Sequence, residues 1–207
     1  GLHAAHTELV IVCDDDIEWL DDQALSALRR LFTPDSVALA APRLVLQQDK
    51  SPLVVAGPHV VAEGALLQNY VGERQGLAER GYLNRLQMAQ DVAGVHGSCW
   101  MARRRAVLAA GALDETCTPT FQPVTDLGYR LQQSGWRLVW TPQANALHAG
   151  GITVNALRRD PAQALALSQA AMAEARHMRN RWLSFAGQHP LYSKHLSGSQ
   201  PYALDMH

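Results

Sequence analysis

Lysine is almost missing from this chain of 207 residues: Lys50 and Lys194 are the only two. Any reaction that depends on a placed lysine has little to draw on. Cysteine is scarce as well. Cys13, Cys99 and Cys117 make an odd count without a CxxC pair, which argues against a disulfide framework and points to a reducing, cytoplasmic setting. No apolar run approaches the roughly 18 residues that span a bilayer. The first residues lack the basic-then-apolar order of a signal peptide. There is no excess of positive charge either. Eighteen basic residues face 19 acidic ones, for a net charge of -1, so a nucleic-acid partner held by bulk charge is not expected. What is present is ordinary: 47% of residues are apolar, enough for the core of one good-sized domain. The chain starts Gly1-Leu2-His3 and enters an apolar strand within a few residues, so its natural chain is expected to begin upstream.

Leu9 to Cys13 is a short apolar run rich in β-branched residues, as in a strand buried on both faces. Asp14-Asp15-Asp16 ends it. Leu20, Leu25, Leu28 and Leu31 recur at helical spacing and predict a helix over about residues 21–32. A second strand is expected between Val37 and Leu46, with a break or edge at Pro42. Short strands follow near Val54 and His59, and residues 64–81 read as loop. A strand is expected over 93–102, carrying His96-Gly97-Ser98-Cys99, then a short helix closed by Gly111. Thr125 to Ser134 reads as a helix stopped by Gly135. Trp136 to Thr141 reads as a strand closed by Pro142, with a separate extended piece at 145–148. Asp160-Pro161 has the form of an N-cap followed by proline at the first helical position, so a long helix is predicted from there to about Phe185. Strands alternating with helices indicate an α/β protein. Residues 1–160 form its main part, and 161–207 a C-terminal helix with a polar surface tail.

Three carboxylates at the end of a buried strand repel one another unless a hard divalent cation or water screens them. A solvated turn is the alternative. His148 closes another predicted strand and could complete a metal site, although it is one of nine histidines. Asp126 opens a helix, where the macrodipole alone would favour an acid; it could also serve as a general base. Arg130 stands one turn later, suited to Asp126 or to a phosphate. Asp114 and Glu115 form a loop pair with the same ambiguity. Of five tryptophans, Trp100 is the one expected to line a pocket, since it lies beside His96 and Cys99. The basic end of the long helix, from Arg176 to Arg181, reads as a solvated face.

In order, these pieces resemble the family 2 glycosyltransferases. VIVCDDDIEWL matches a strand ending in a DxD-like motif. PDSVALAAPRL, VVAGPHV, VHGSCWMARRRAVL and GALDE follow as the family's segments do. VTDLGYRLQQSGWRLVWTPQANALH matches its acidic-helix stretch, and HPLYSKHLS looks like the ending of O-antigen and rhamnan-type members. The resemblance implies the C-terminal portion of a GT-A fold: a mixed sheet flanked by helices, with a long C-terminal helix. It implies a nucleotide-sugar donor, a glycan acceptor, and transfer in polysaccharide or O-antigen synthesis, with peripheral membrane association through the full-length protein. It places Mg²⁺ or Mn²⁺ on Asp14 and Asp16, with His148 as a third ligand. Asp15, His96, Trp100, Asp114, Glu115 and Arg130 would bind donor or acceptor, and Asp126 would be the catalytic base.

The chain departs from the family pattern at three places. The nucleotide-binding strands and helices would have to precede residue 1. Val124 occupies the position that most often supplies the base, and Ala112 replaces a glycine of the GGfDE motif. The rival readings are therefore a degenerate, non-catalytic module that binds glycan or a protein partner, and a haloacid-dehalogenase-type phosphotransferase suggested by the strand before Asp14-x-Asp16. The last needs a downstream lysine that has no clear candidate here.

Overall fold

The structure, a computed structural model, describes residues 1–48, 51–56, 59–60, 68–69, 80–114, 123–149, 156–187, 190–191, 193, 195–196 and 203. A seven-stranded mixed sheet forms its centre. The strands are β1 (Leu9–Cys13), β2 (Ile17–Trp19), β3 (Val37–Gln48), β4 (Ser51–Ala56), β7 (Gln90–Asp91), β8 (Cys99–Arg103) and β9 (Arg137–His148). A separate small ladder joins β5 (His59–Val60) to β6 (Gln68–Asn69). The main order is β1-β8-β3-β9-β2, with β4 beside β3 and β7 beside β9. β3 and β9 are parallel, and the other pairings are antiparallel.

Helices cover both faces, and the period-2 geometry of strands shows how. Leu39 and Ala41 of β3, Trp100 and Ala102 of β8, and Leu138 and Trp140 of β9 enter one core. That core is roofed by α2 (Arg104–Ala109) and α3 (Pro123–Gln133), through Ala106, Val107, Leu127 and Leu131. The alternate residues Ala40, Met101 and Val139 enter a second core under α1 (Ala24–Arg30), with Ala24, Ala27 and Leu28. Strands buried on both sides must be apolar throughout, which is why VALAA and CWMA read as unbroken runs.

Three expectations change. β1 is not buried on both faces. It pairs only with β8, and Ile11 is exposed, while Val10 and Val12 pack against the first core. The apolar run is half covered: on the second face Leu9 packs partly against the α1 core, but Ile11 reaches solvent. The strand expected over 93–102 starts only at Cys99, so His96 to Ser98 lie in the turn before it. Finally, Pro142 does not close a strand. β9 runs on to His148, with a register shift opposite Pro42 and Arg43 of β3. The two prolines sit at one bulge, where a ladder donor can be missing without cost to the pairing.

The long helix forms as predicted. In α4 (Pro161–Gly187), Asp160 Oδ1 accepts from the Ala162 and Gln163 amides at 2.8 and 3.1 Å. It docks through Met178 and Trp182 onto Tyr129 of α3, and the rings of Tyr129, Trp182 and Phe185 meet edge to face. Among the described residues no helix is long and apolar enough to cross a membrane.

The turn after α2 carries a testable strain. Gly111 and Ala112 both have positive φ, 86° and 56°. Glycine tolerates that region, but alanine does not do so freely. We expect Ala112→Gly to raise stability by about 0.5–1 kcal/mol, since relief of the left-handed strain exceeds the added entropy of the unfolded chain. Urea denaturation with an unchanged m-value would check this.

Candidate functional site

Three segments converge at one edge of the sheet. β1, β3 and β9 run the same way, so the carboxyl ends of β1 and β9 lie on the same side. Ligands of open α/β sheets collect at such ends. Antiparallel pairing of β1 with β8 brings Asp14 to the start of β8, where its amide donates to the Ser98 carbonyl at 2.8 Å. Antiparallel pairing of β2 with β9 sets Ile17 opposite His148. Residues 132 positions apart thereby meet: His148 Nδ1 lies 3.0 Å from Asp16 Oδ1.

Asp14, Asp16 and His148 each bring a ligand atom within 4.8 Å of the other two. Two carboxylates and an imidazole suit a divalent ion such as Mn²⁺. The group is graded in exposure, with Asp14 open to solvent, Asp16 half-buried and His148 buried. An ion could therefore enter from the aspartate side while the imidazole is held from behind. Asp15 points to solvent outside this trio.

His96 flanks the cluster, its ring 6.0 Å from that of His148. The Ser98 amide donates to His96 Nδ1 at 3.2 Å, so that nitrogen is unprotonated. Burial, with the neighbouring His148 adding to it and Asp14 opposing, lowers the His96 pKa to about 4. The ring is thus neutral at pH 7 and keeps Nε2–H as a donor. Cys99 is buried, and burial above all pushes its thiol up to about 12, which makes it a poor nucleophile.

No family model matches the chain. An uncharacterized protein of Sinorhizobium fredii is 28% identical over 145 residues, 68% of this chain and 15% of that protein. An N-acetylglucosaminyl-diphospho-decaprenol L-rhamnosyltransferase of Mycobacterium tuberculosis is 38% identical over 77 residues, 37% of this chain and 24% of the relative. The chain thus spans less than a quarter of either curated relative. Among solved structures, GalNAc-T7 with UDP, GalNAc and Mn2+ superposes on 68% of this chain and 27% of its own, with a TM-score of 0.52 at 12% identity.

The fold is of the GT-A glycosyltransferase type.

Within this GT-A sheet the other expected residues scatter. Trp100, expected at a pocket, is wholly buried in the core beneath α3. The reason is register: it faces the same side of β8 as Ala102, toward α2 and α3. Asp126 is also wholly buried. Its Oδ1 accepts from Trp182 Nε1 at 2.8 Å and lies 3.2 Å from Arg181 Nη1, and its Oδ2 accepts from Arg130 Nε at 2.8 Å. A general base must reach an acceptor hydroxyl, and this carboxylate is enclosed and engaged on both oxygens. Arg130 is engaged as well, donating to the carbonyls of Ala110 and Ala112 beyond α2. Asp114 pairs with Arg181 at 3.1 Å, so the basic end of α4 is not simply a solvated face. Glu115 lies outside the described residues, as do His189, Tyr192, Lys194 and Ser197 of the tail motif.

Val124 is nearly buried, and a Cβ placed on Gly97 would come 3.8 Å from its Cγ2. Val124, where the resemblance would put an acid, therefore borders the His96–Ser98 turn with a methyl group. Sequence reasoning named Ser98 only within the His96–Cys99 stretch, Trp182 only as one of five tryptophans and Arg181 only in the basic end of the long helix, and it gave none of them its contact with His148 or Asp126.

Proposed function

We propose that this chain is the metal-binding, acceptor-side part of a GT-A glycosyltransferase that moves a sugar from a nucleotide-sugar donor to a glycan acceptor in polysaccharide synthesis. One observation carries this reading: two carboxylates and an imidazole gather at the carboxyl ends of β1 and β9. Asp14, Asp16 and His148 would hold Mg²⁺ or Mn²⁺, which supplies positive charge against the departing diphosphate when bound. Asp15, exposed beside the trio, faces the donor. The neutral His96 offers Nε2–H to a sugar or phosphate oxygen. The rhamnosyltransferase relative supports sugar transfer to a lipid-linked GlcNAc diphosphate, and with it peripheral association of the full-length protein with a membrane surface.

The test uses the full-length protein, a panel of UDP-, dTDP- and GDP-sugars, and GlcNAc-diphospho-polyprenol with Mn²⁺. Product should form with at least one donor and vanish with EDTA. Failure of the whole panel, together with no Mn²⁺ binding, overturns the proposal.

A second reading, a degenerate module that binds glycan without transferring sugar, is favoured by Val124 and by the enclosure of Asp126. Glycan binding with no turnover in the same assay would select it.

A further inference from the structure

We propose that Ser98 is the positioning residue of the metal site, and that its hydroxyl fixes His148 to bind the ion through Nδ1. The proposal rests on the metal reading above. Ser98 is a buried polar residue that touches three partners from three segments. Its carbonyl accepts from the Asp14 amide at 2.8 Å, and its amide donates to His96 Nδ1 at 3.2 Å. Its Oγ lies 3.3 Å from His148 Nε2, on the side of the ring away from Asp16.

The hydroxyl matters because it stands at Nε2, the ring nitrogen left over when Nδ1 faces the ion. A neutral imidazole that ligates through Nδ1 carries its hydrogen on Nε2, and Nε2–H then donates to Ser98 Oγ, which a rotating hydroxyl can accept. Such outer partners of a ligating histidine set its tautomer and orientation, and their loss typically lowers metal affinity about 10–100-fold.

The Ser98–His148–Asp16 row also has the order of a nucleophilic triad. Ser98 is 7% exposed, however, and a serine nucleophile has to meet its substrate.

Mn²⁺ titration by calorimetry and electron paramagnetic resonance would compare wild type, Ser98→Ala and Ser98→Thr. Melting in EDTA would report on folding alone. We expect Ser98→Ala to bind Mn²⁺ about 10–100-fold more weakly with its EDTA melting point little changed, and Ser98→Thr to recover most of the affinity. Long-range ¹H–¹⁵N spectra of the Zn²⁺-loaded protein should show His148 with its proton on Nε2. Equal Mn²⁺ affinity in Ser98→Ala, or ligation through Nε2, overturns the role of Ser98. Labelling of Ser98 by a fluorophosphonate would overturn it in favour of a nucleophile. Should wild type itself bind no Mn²⁺, the metal reading fails, and the proposal with it. If Ser98→Ala does not fold, Ser98→Cys, whose weaker donor and acceptor should give an intermediate affinity, makes the same comparison.

Discussion

Asp126→Ala is expected to lower stability by about 3–5 kcal/mol, the usual cost of removing one partner from a buried ion pair. The carboxylate joins α3 to α4. It takes Arg130 from its own helix and Trp182 and Arg181 from the other. Its removal leaves the Trp182 N–H without its acceptor in a buried setting and Arg130 short of its anion. Arg181 is more than a third exposed, so its share is small in comparison. A typical domain has only about 5–15 kcal/mol in total, so the loss should loosen α4 before the sheet. Denaturation followed by circular dichroism, and faster amide exchange across residues 174–185, would show it. Trp182→Phe removes one donor while keeping the ring contacts, and about 1 kcal/mol is expected from it. The experiment also decides between two roles. If Asp126→Asn kept full stability and lost all turnover, a catalytic base would be the better description of this residue.

Asp16→Ala should act in the opposite way, with little change in fold and a large change in function. Asp16 is half-buried, and its described partner is His148. Removing it relieves repulsion within Asp14-Asp15-Asp16, so stability should stay within about 0.5 kcal/mol of wild type. Charge stabilisation by the ion is worth several kcal/mol at the transition state, and each 1.36 kcal/mol is tenfold in rate. Sugar transfer by the full-length protein should therefore fall at least about 10³-fold, and Mn²⁺ binding should weaken in parallel. Asp15→Ala removes a neighbouring carboxylate that is not in the trio, so its metal binding should change far less. Equal turnover in wild type and Asp16→Ala would remove the metal site from the mechanism.

The two predictions differ because the two aspartates were alike only in sequence. Each stands at the boundary of a secondary element, where an acid is unremarkable. One is half-buried against His148 in the turn between β1 and β2, and the other is closed in between two helices.

The local pattern of the chain was sufficient for much of the architecture. Apolar runs marked the centres of β3, β8 and β9, because strands covered on both faces are near-continuously apolar. Asp160 and Pro161 set the start of α4, because capping is settled within one helical turn. The ordered motifs pointed to the GT-A fold and to Asp14, Asp16 and His148 as a candidate group. Tertiary structure decided what no window of sequence contains. Pairing of β2 with β9 brought His148 against Asp16, and pairing of β1 with β8 brought Ser98 to Asp14 and His148. Docking of α4 enclosed Asp126, since Trp182 and Arg181 lie 56 and 55 positions further along the chain. Strand register turned Trp100 into the core beneath α2 and α3, and left Ile11 of β1 exposed. Such contacts depend on strand register and helix docking, which local propensity does not encode.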